Sequence, residues 1–167
     1  MKLLNQKILF SKEECESIIL YNDAHITNWK MNDRKYNSQP INHSLETNWL
    51  FDKLKKFVEE TTDIKIKTIK ETIHFHKFTK DNWFGKHNDD RDNRIYAIGV
   101  LLNDNFEGGD FKLYNPIEQT LNKVVGNTYL FDVRIQHEIT PILDGERYSL
   151  LWFLQNKHIK TPTNTLI

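Results

Sequence analysis

The chain has one cysteine, Cys15, in 167 residues. That scarcity excludes an internal disulfide and any thiolate cluster, so a metal bound here has to be held by histidine and carboxylate. It also fits a reducing, intracellular setting. Net charge is the second thing missing. The 23 lysines and arginines balance 23 aspartates and glutamates, which leaves no basic excess to neutralise a phosphate backbone and makes nucleic acid a poor partner. No apolar run reaches the roughly 18 residues that spanning a membrane requires. The opening MKLLNQKILF starts basic, but Asn5, Gln6 and Lys7 interrupt its apolar stretch, so it does not qualify as a signal peptide. A soluble, cytoplasmic protein with no membrane partner is the expectation. Repeats, low-complexity tracts and linkers are absent too, and the length suits one domain over 1–167.

What is present falls into two periods. FSKEECESIILYN predicts a helix start, with Ser11 as N-cap, Glu14 closing a capping box and Phe10 set against Cys15 as a hydrophobic staple. Residues 22–44 are polar and irregular. LETNWLFDKLKKFVEE then places Trp49, Leu50, Leu54, Phe57 and Val58 on one helical face, a face suited to covering a sheet. After Thr62 the period becomes alternating. Strands are expected at about 72–78, 84–89, 95–103, 110–114, 123–125, 128–133, 138–142 and 147–154, separated by turns such as NDNFEGG and LDGE. Eight short strands without intervening helices predict a mainly β fold with N-terminal helices and a jelly-roll or barrel core. The divisions are a helical support and irregular segment over 1–62, the jelly-roll core over 63–155 and a tail over 156–167.

Within that core, HND at 87–89 puts a histidine and an aspartate two apart, on one face of an extended segment. The surrounding HNDDRDNR, taken alone, is an ordinary solvated loop. His137, at the start of a later strand, changes the weighing. Two histidines and one carboxylate with open positions are the donor set of non-haem Fe(II) oxygenases, whereas zinc favours a closed tetrahedron. In RYSLLWFL, alternation places Arg147, Ser149, Leu151 and Phe153 on one face. If that face is interior, the guanidinium needs an anion, because desolvating it unpaired costs several kcal/mol. No acid on the neighbouring strands answers it, which points to a ligand carboxylate.

At these residues the sequence resembles the Fe(II)- and 2-oxoglutarate-dependent dioxygenases, in particular their prolyl 4-hydroxylase-like branch. The resemblance covers about residues 70–155 and runs through H-x-D (His87, Asp89), EGGDF (Glu107–Phe111), GNTYLFD, HEITP with His137 and GERYSL with Arg147 and Ser149. It implies a double-stranded β-helix. His87, Asp89 and His137 would hold Fe(II), and Arg147 with Ser149 would clamp the distal carboxylate of 2-oxoglutarate. Dioxygen would be the oxidant and ascorbate a reductant. The implied reaction couples decarboxylation of 2-oxoglutarate to succinate with hydroxylation of an unactivated C–H bond, the metal doing the hard chemistry.

Two positions depart from that pattern. Phe78 stands where many prolyl hydroxylases carry a tyrosine nine residues before the first ligand, and Leu101 replaces a second tyrosine that helps bind 2-oxoglutarate. His76, Tyr96 and Thr128 are the alternatives for the missing hydrogen bond. For the substrate, the resemblance places Phe153 against a target prolyl ring, Arg94 at the mouth against peptide backbone, and Trp83 as a lid, which makes the partner a peptide or protein. His25, His43, His74 and His158 are expected to be structural or on the surface, Asp90 and Asp92 to be solvated, and Gly108 and Gly109 to shape a turn. Alternatives are a free amino acid or alkylated nucleic acid as substrate, and a non-catalytic jelly roll that keeps a metal for structure.

Overall fold

The computed structural model describes residues 4–25, 30–31, 36–67 and 72–160. Residues 161–167 of the expected tail lie outside the described residues. So do 1–3, 26–29, 32–35 and 68–71, and the side chain of His25.

Strand β1 (Leu4–Ile8) leads into helix α1 (Lys12–His25) through the expected capping box. The Glu14 N–H donates to the Ser11 hydroxyl at 3.1 Å, and the Ser11 N–H donates to the Glu14 carboxylate at 2.8 Å. Phe10 and Cys15 on either side of it are buried in one apolar cluster. After β2 (Lys30–Met31) and β3 (Asn37–Ile41) comes α2 (Asn48–Thr61). Its buried face is Leu50, Phe51, Leu54, Phe57 and Val58. Phe51 takes the place expected for Trp49, which is 41% exposed at the first turn and meets Phe10 edge-on, with ring centroids 6.2 Å apart.

The remaining strands are β4 (Ile73–Phe78), β5 (Phe84–His87), β6 (Arg94–Leu101), β7 (Glu107–Gly108), β8 (Phe111–Tyr114), β9 (Glu118–Thr120), β10 (Asn127–Asp132), β11 (Gln136–Ile139), β12 (Ile142–Asp144) and β13 (Arg147–Gln155). Two expectations are corrected. Residues 123–125 form no strand but lead into a turn at Gly126, whose φ is 78°. That turn is pinned to the entry of α1, since the Leu9 N–H donates to the Gly126 carbonyl at 3.0 Å and a Cβ at 126 would lie 1.9 Å from the Phe10 carbonyl oxygen. The single strand expected at 138–142 is two, β11 and β12, because Pro141 has no N–H to continue a ladder.

The strands form a seven-stranded antiparallel sheet in the order β1-β10-β6-β13-β4-β3-β2, a four-stranded sheet β5-β11-β8-β9, and a β12–β7 pair. This is the jelly-roll, or double-stranded β-helix, architecture. Strands β6 and β13 are covered on both sides. Ile98, Val100, Tyr148, Leu150, Trp152 and Leu154 pack with α1 and α2 in one cluster. Ala97, Leu101, Tyr129 and Phe131 join Phe106, Phe111, Leu113 and Ile139 in a second, between the two sheets. Among the described residues no helix is long and apolar enough to cross a membrane.

The helix-to-sheet layer is where stability is concentrated. Leu54 is 1% exposed, so Leu54→Ala is expected to lower unfolding free energy by about 2–5 kcal/mol. Leu20, which is 70% exposed on α1, should change it by less than about 0.5 kcal/mol when replaced by alanine. Urea denaturation followed by far-ultraviolet circular dichroism measures both.

Candidate metal centre

Antiparallel pairing of β5 with β11 sets His87 opposite His137, which places both imidazoles on one face with ring centroids 4.2 Å apart. Asp89 lies just past the end of β5. Its backbone N–H donates to the Val133 carbonyl at 2.9 Å, which ties the loop to the β10–β11 connection and turns the carboxylate back toward the histidines. One carboxylate oxygen lies 3.3 Å from His137 Nε2, and the other lies 3.8 Å from His87 Nε2. One ligand atom from each of the three side chains falls within 4.8 Å of the others.

The hydrogen bonds fix which nitrogens are available. His87 Nδ1 is 2.7 Å from the Gly85 carbonyl and His137 Nδ1 is 3.0 Å from the Ile135 carbonyl. A carbonyl can only accept, so each Nδ1 carries the proton and each Nε2 presents a lone pair to the common point. Supporting bonds of this kind are what orient metal-binding imidazoles. Phe84 stacks on His87 at 3.7 Å and Phe131 stands edge-on to His137 at 4.8 Å, so apolar rings back the cluster. Burial pushes the Asp89 carboxyl upward, but positive charge facing it, from a proton on His137 Nε2 or His87 Nε2 in the metal-free protein and from Arg94, outweighs burial and holds the group below its usual range. A cation bound at the two Nε2 atoms would take the place of that proton. Two neutral imidazoles and an ionised carboxylate, with no thiolate and no fourth side chain in the group, suit a divalent metal that keeps open positions, as Fe(II) does.

Arg147 is 2% exposed, and Nη1 donates to the Ser149 hydroxyl at 2.8 Å. The Tyr129 phenol lies near enough to favour the charged guanidinium, while burial lowers the proton affinity of Arg147. Among the described residues no carboxylate lies within 4 Å of it, and its Nε is buried without a hydrogen-bond partner. An arginine cannot shed its charge, so this site fits an anionic ligand. Phe111 links the two ends, with its ring 4.8 Å from Tyr129 and 5.6 Å from His137.

A cleft of about 250 Å³ opens beside Asp89, lined by Tyr36, His74, His76, Phe84, Arg94 and Phe153 among others. A larger cavity of about 350 Å³ between α1 and the start of α2 is lined by Ile18, Tyr21 and Trp49, far in sequence from the histidine pair. The Arg94 guanidinium lies 3.7 Å over the Phe153 ring, with Nη1 3.7 Å from Asp89. Trp83 is not among the residues lining the cleft. It is 39% exposed, and its indole lies over Gly85, where a Cβ would come within 2.5 Å.

Of the three alternatives for the missing hydrogen bond, only His76 faces this interior. Tyr96 packs in the helix-side cluster, and the Thr128 hydroxyl donates to the Gly126 carbonyl. Tyr129 was missed, although alternation in GNTYLFD puts it opposite in facing to Thr128. Among the histidines given structural roles, His43 bonds Asn48, and His158 Nδ1 accepts from the Gln155 N–H. His74 instead lines the cleft. Asp90 and Asp92 are exposed, and Gly108 and Gly109 have φ of 68° and 60°.

Residues 73–155 match the model of the 2OG-Fe(II) oxygenase superfamily. No curated protein matches the chain in sequence. Among solved structures it is similar to a prolyl-4-hydroxylase from Pseudomonas putida, with TM-score 0.74 and 18% identity over 92% of this chain and 93% of that one. It is similar to an oxidoreductase of the 2OG-Fe(II) oxygenase family from Burkholderia pseudomallei, with TM-score 0.77 and 12% identity over 96% and 88%. A third is a prolyl hydroxylase from Trichoplax adhaerens in complex with a hypoxia inducible factor oxygen degradation domain peptide fragment, with TM-score 0.75 and 16% identity over 94% and 86%. These likenesses are of fold.

Two outcomes follow from the geometry. His87→Ala, Asp89→Ala and His137→Ala should each weaken Mn(II) or Fe(II) binding by more than the roughly 10–100-fold that loss of a supporting bond costs, read by metal titration calorimetry. His76 generates the second. Burial first, then the charges of His74 and Arg147, pull it from 6.5 down to about 3, against the opposing effect of Asp89. Below pH 6.5 the unfolded chain therefore takes up a proton that the folded protein refuses, and stability falls by up to about 1.4 kcal/mol per pH unit until about pH 3. Above pH 6.5 the group contributes no pH dependence. Urea midpoints of metal-free protein should decline across that acid window, and His76→Gln should flatten part of the decline.

Proposed function

Because the chain belongs to the 2OG-Fe(II) oxygenase superfamily, we propose that it is a Fe(II)- and 2-oxoglutarate-dependent dioxygenase that hydroxylates a prolyl residue in an extended peptide or protein segment. The observation that carries the reading is Arg147. A guanidinium 2% exposed, with no carboxylate of the described residues to pair it, lies in the same inter-sheet interior as three convergent metal-ligating atoms. A dicarboxylic keto acid would answer both ends at once, its keto-acid head toward the metal held there and its distal carboxylate toward the cation.

When bound, Fe(II) supplies the oxidising chemistry, in which one oxygen atom of dioxygen enters the substrate C–H bond and the other enters succinate as carbon dioxide leaves. The chain's own residues do the rest. His87, Asp89 and His137 would hold the metal, and no fourth side chain joins their group among the described residues. Arg147 with the Ser149 hydroxyl binds and orients the distal carboxylate, and Phe111, Phe131 and Phe84 exclude water from the space between. At the mouth, the Arg94 guanidinium spread over Phe153 offers donors to peptide carbonyls beside an apolar surface for a prolyl ring. The peptide bound to the Trichoplax adhaerens neighbour supports a peptide or protein as the substrate class.

Arg147→Gln is expected to raise KM for 2-oxoglutarate about 30-fold or more, since leaving a buried charged group without its partner costs roughly 2–5 kcal/mol, and Arg147→Lys should be intermediate. An unchanged KM in both would remove Arg147 from the site. For the substrate, succinate release should be coupled to the gain of one oxygen atom by a proline-containing peptide, and both should fall in Phe153→Ala and Arg94→Ala. If prolyl peptides are never hydroxylated while a free amino acid or another side chain is, the prolyl assignment fails and the dioxygenase assignment stands.

A further inference from the structure

We propose that Tyr129 is a second, neutral anchor for the distal carboxylate of 2-oxoglutarate, reaching it across strand β6 over Gly99. The inference rests on the cosubstrate reading above. Strand β10 is separated from β13 by β6, so a side chain of β10 meets Arg147 only by lying across the intervening strand. Tyr129 does this at the one inward position of β6 that lacks a side chain. It stands directly opposite Gly99, where an added Cβ would be 2.3 Å from its Cζ and 2.5 Å from its phenol oxygen. Any larger residue at 99 would displace the ring. Leu101, the next inward residue of β6, offers no polar group beside Arg147, and the Tyr129 phenol supplies one from the neighbouring strand.

The proton inventory indicates what the phenol is for. An arginine only donates, so the Ser149 oxygen accepts from Arg147, and the Tyr129 oxygen, which lines the same small space as Arg147, can face the guanidinium only as an acceptor. Each hydroxyl then has its own O–H left to give. Among the described residues no group accepts from either one, and Tyr129 is 5% exposed and Ser149 4% exposed. Two buried O–H donors flanking a buried cation form a cradle for an acceptor with several lone pairs, which a carboxylate is. Burial also pushes the phenol above its ordinary titration range, against the pull of Arg147, so the proton stays on it. Packing alone does not require the oxygen, since the contacts of the ring with Phe111 at 4.8 Å and Phe131 at 6.2 Å are ones a phenylalanine would also make.

Tyr129→Phe keeps the ring and removes only the donor. With Mn(II)-loaded protein, calorimetric titration is run with 2-oxoglutarate and with 2-oxobutyrate, which has the same keto-acid head and no distal carboxylate. The expected result is 2-oxoglutarate binding weakened about 10- to 100-fold in Tyr129→Phe, the loss of one hydrogen bond to a charged group, with 2-oxobutyrate and Mn(II) binding changed less than about twofold. In turnover, KM for 2-oxoglutarate should rise while kcat is held. Unchanged 2-oxoglutarate binding, or equal weakening of both keto acids, would overturn the proposal and leave Tyr129 a packing residue. Wild-type protein that binds Mn(II) but neither keto acid would overturn the cosubstrate reading itself.

Discussion

Burial of strand β13 on both faces is the constraint on which the rest of the molecule depends. Its outward set, Tyr148, Leu150, Trp152 and Leu154, is the floor on which α1 and α2 pack, and its inward set, Arg147, Ser149, Leu151 and Phe153, faces the space between the sheets. Because side chains alternate with period two, a slip of one residue against β6 or β4 would drive a guanidinium under the helices and a tryptophan into the site. Register is therefore set by the helix-side apolar packing, and the chemistry on the opposite face inherits it.

The interior that results is polar in places where a jelly roll built only for stability would be apolar. His76, Asp89, His137, Arg147 and Ser149 are all buried. Several are partly satisfied from within, the two ligand histidines by the carbonyls of Gly85 and Ile135, Arg147 by the Ser149 hydroxyl, and the Asp89 carboxylate by the charge of Arg94. What the protein offers there is consistent in sign: lone pairs where a cation belongs, and donors with a positive charge where an anion belongs. A half-satisfied buried network costs stability, and such a cost is characteristic of sites that ligands complete.

Much of the fold was legible because it is local. The capping box at Ser11 and Glu14 depends on three residues of spacing, and the α2 stripe on a helical period, so both appear as expected. Trp49 and Phe51 exchanged places because the spacing gives a face and not its edges, and the edge is decided by where Phe10 sits. The break at Pro141 was readable in principle, since proline has no N–H. The Gly126 turn was not, because the close approach of Phe10 that requires it comes from more than a hundred residues away. Strand β9 is exposed throughout and so carries no apolar alternation to announce it.

By itself the sequence determined the donor chemistry and the local facing: with one cysteine a metal must be held by nitrogen and oxygen, His87 and Asp89 stand two apart, and Arg147, Ser149 and Phe153 share a face because period two is a property of a single strand. Only the tertiary structure decided which of these groups meet. His137 comes opposite His87 through the β5–β11 ladder, Asp89 is turned inward by the Val133 carbonyl, Tyr129 rather than Tyr96 or Thr128 reaches Arg147 across Gly99, and Trp83 settles over Gly85 instead of lining the cleft. Those meetings depend on the order of strands in two sheets. That order is set by which apolar faces bury one another, a non-local choice that no spacing along the chain encodes.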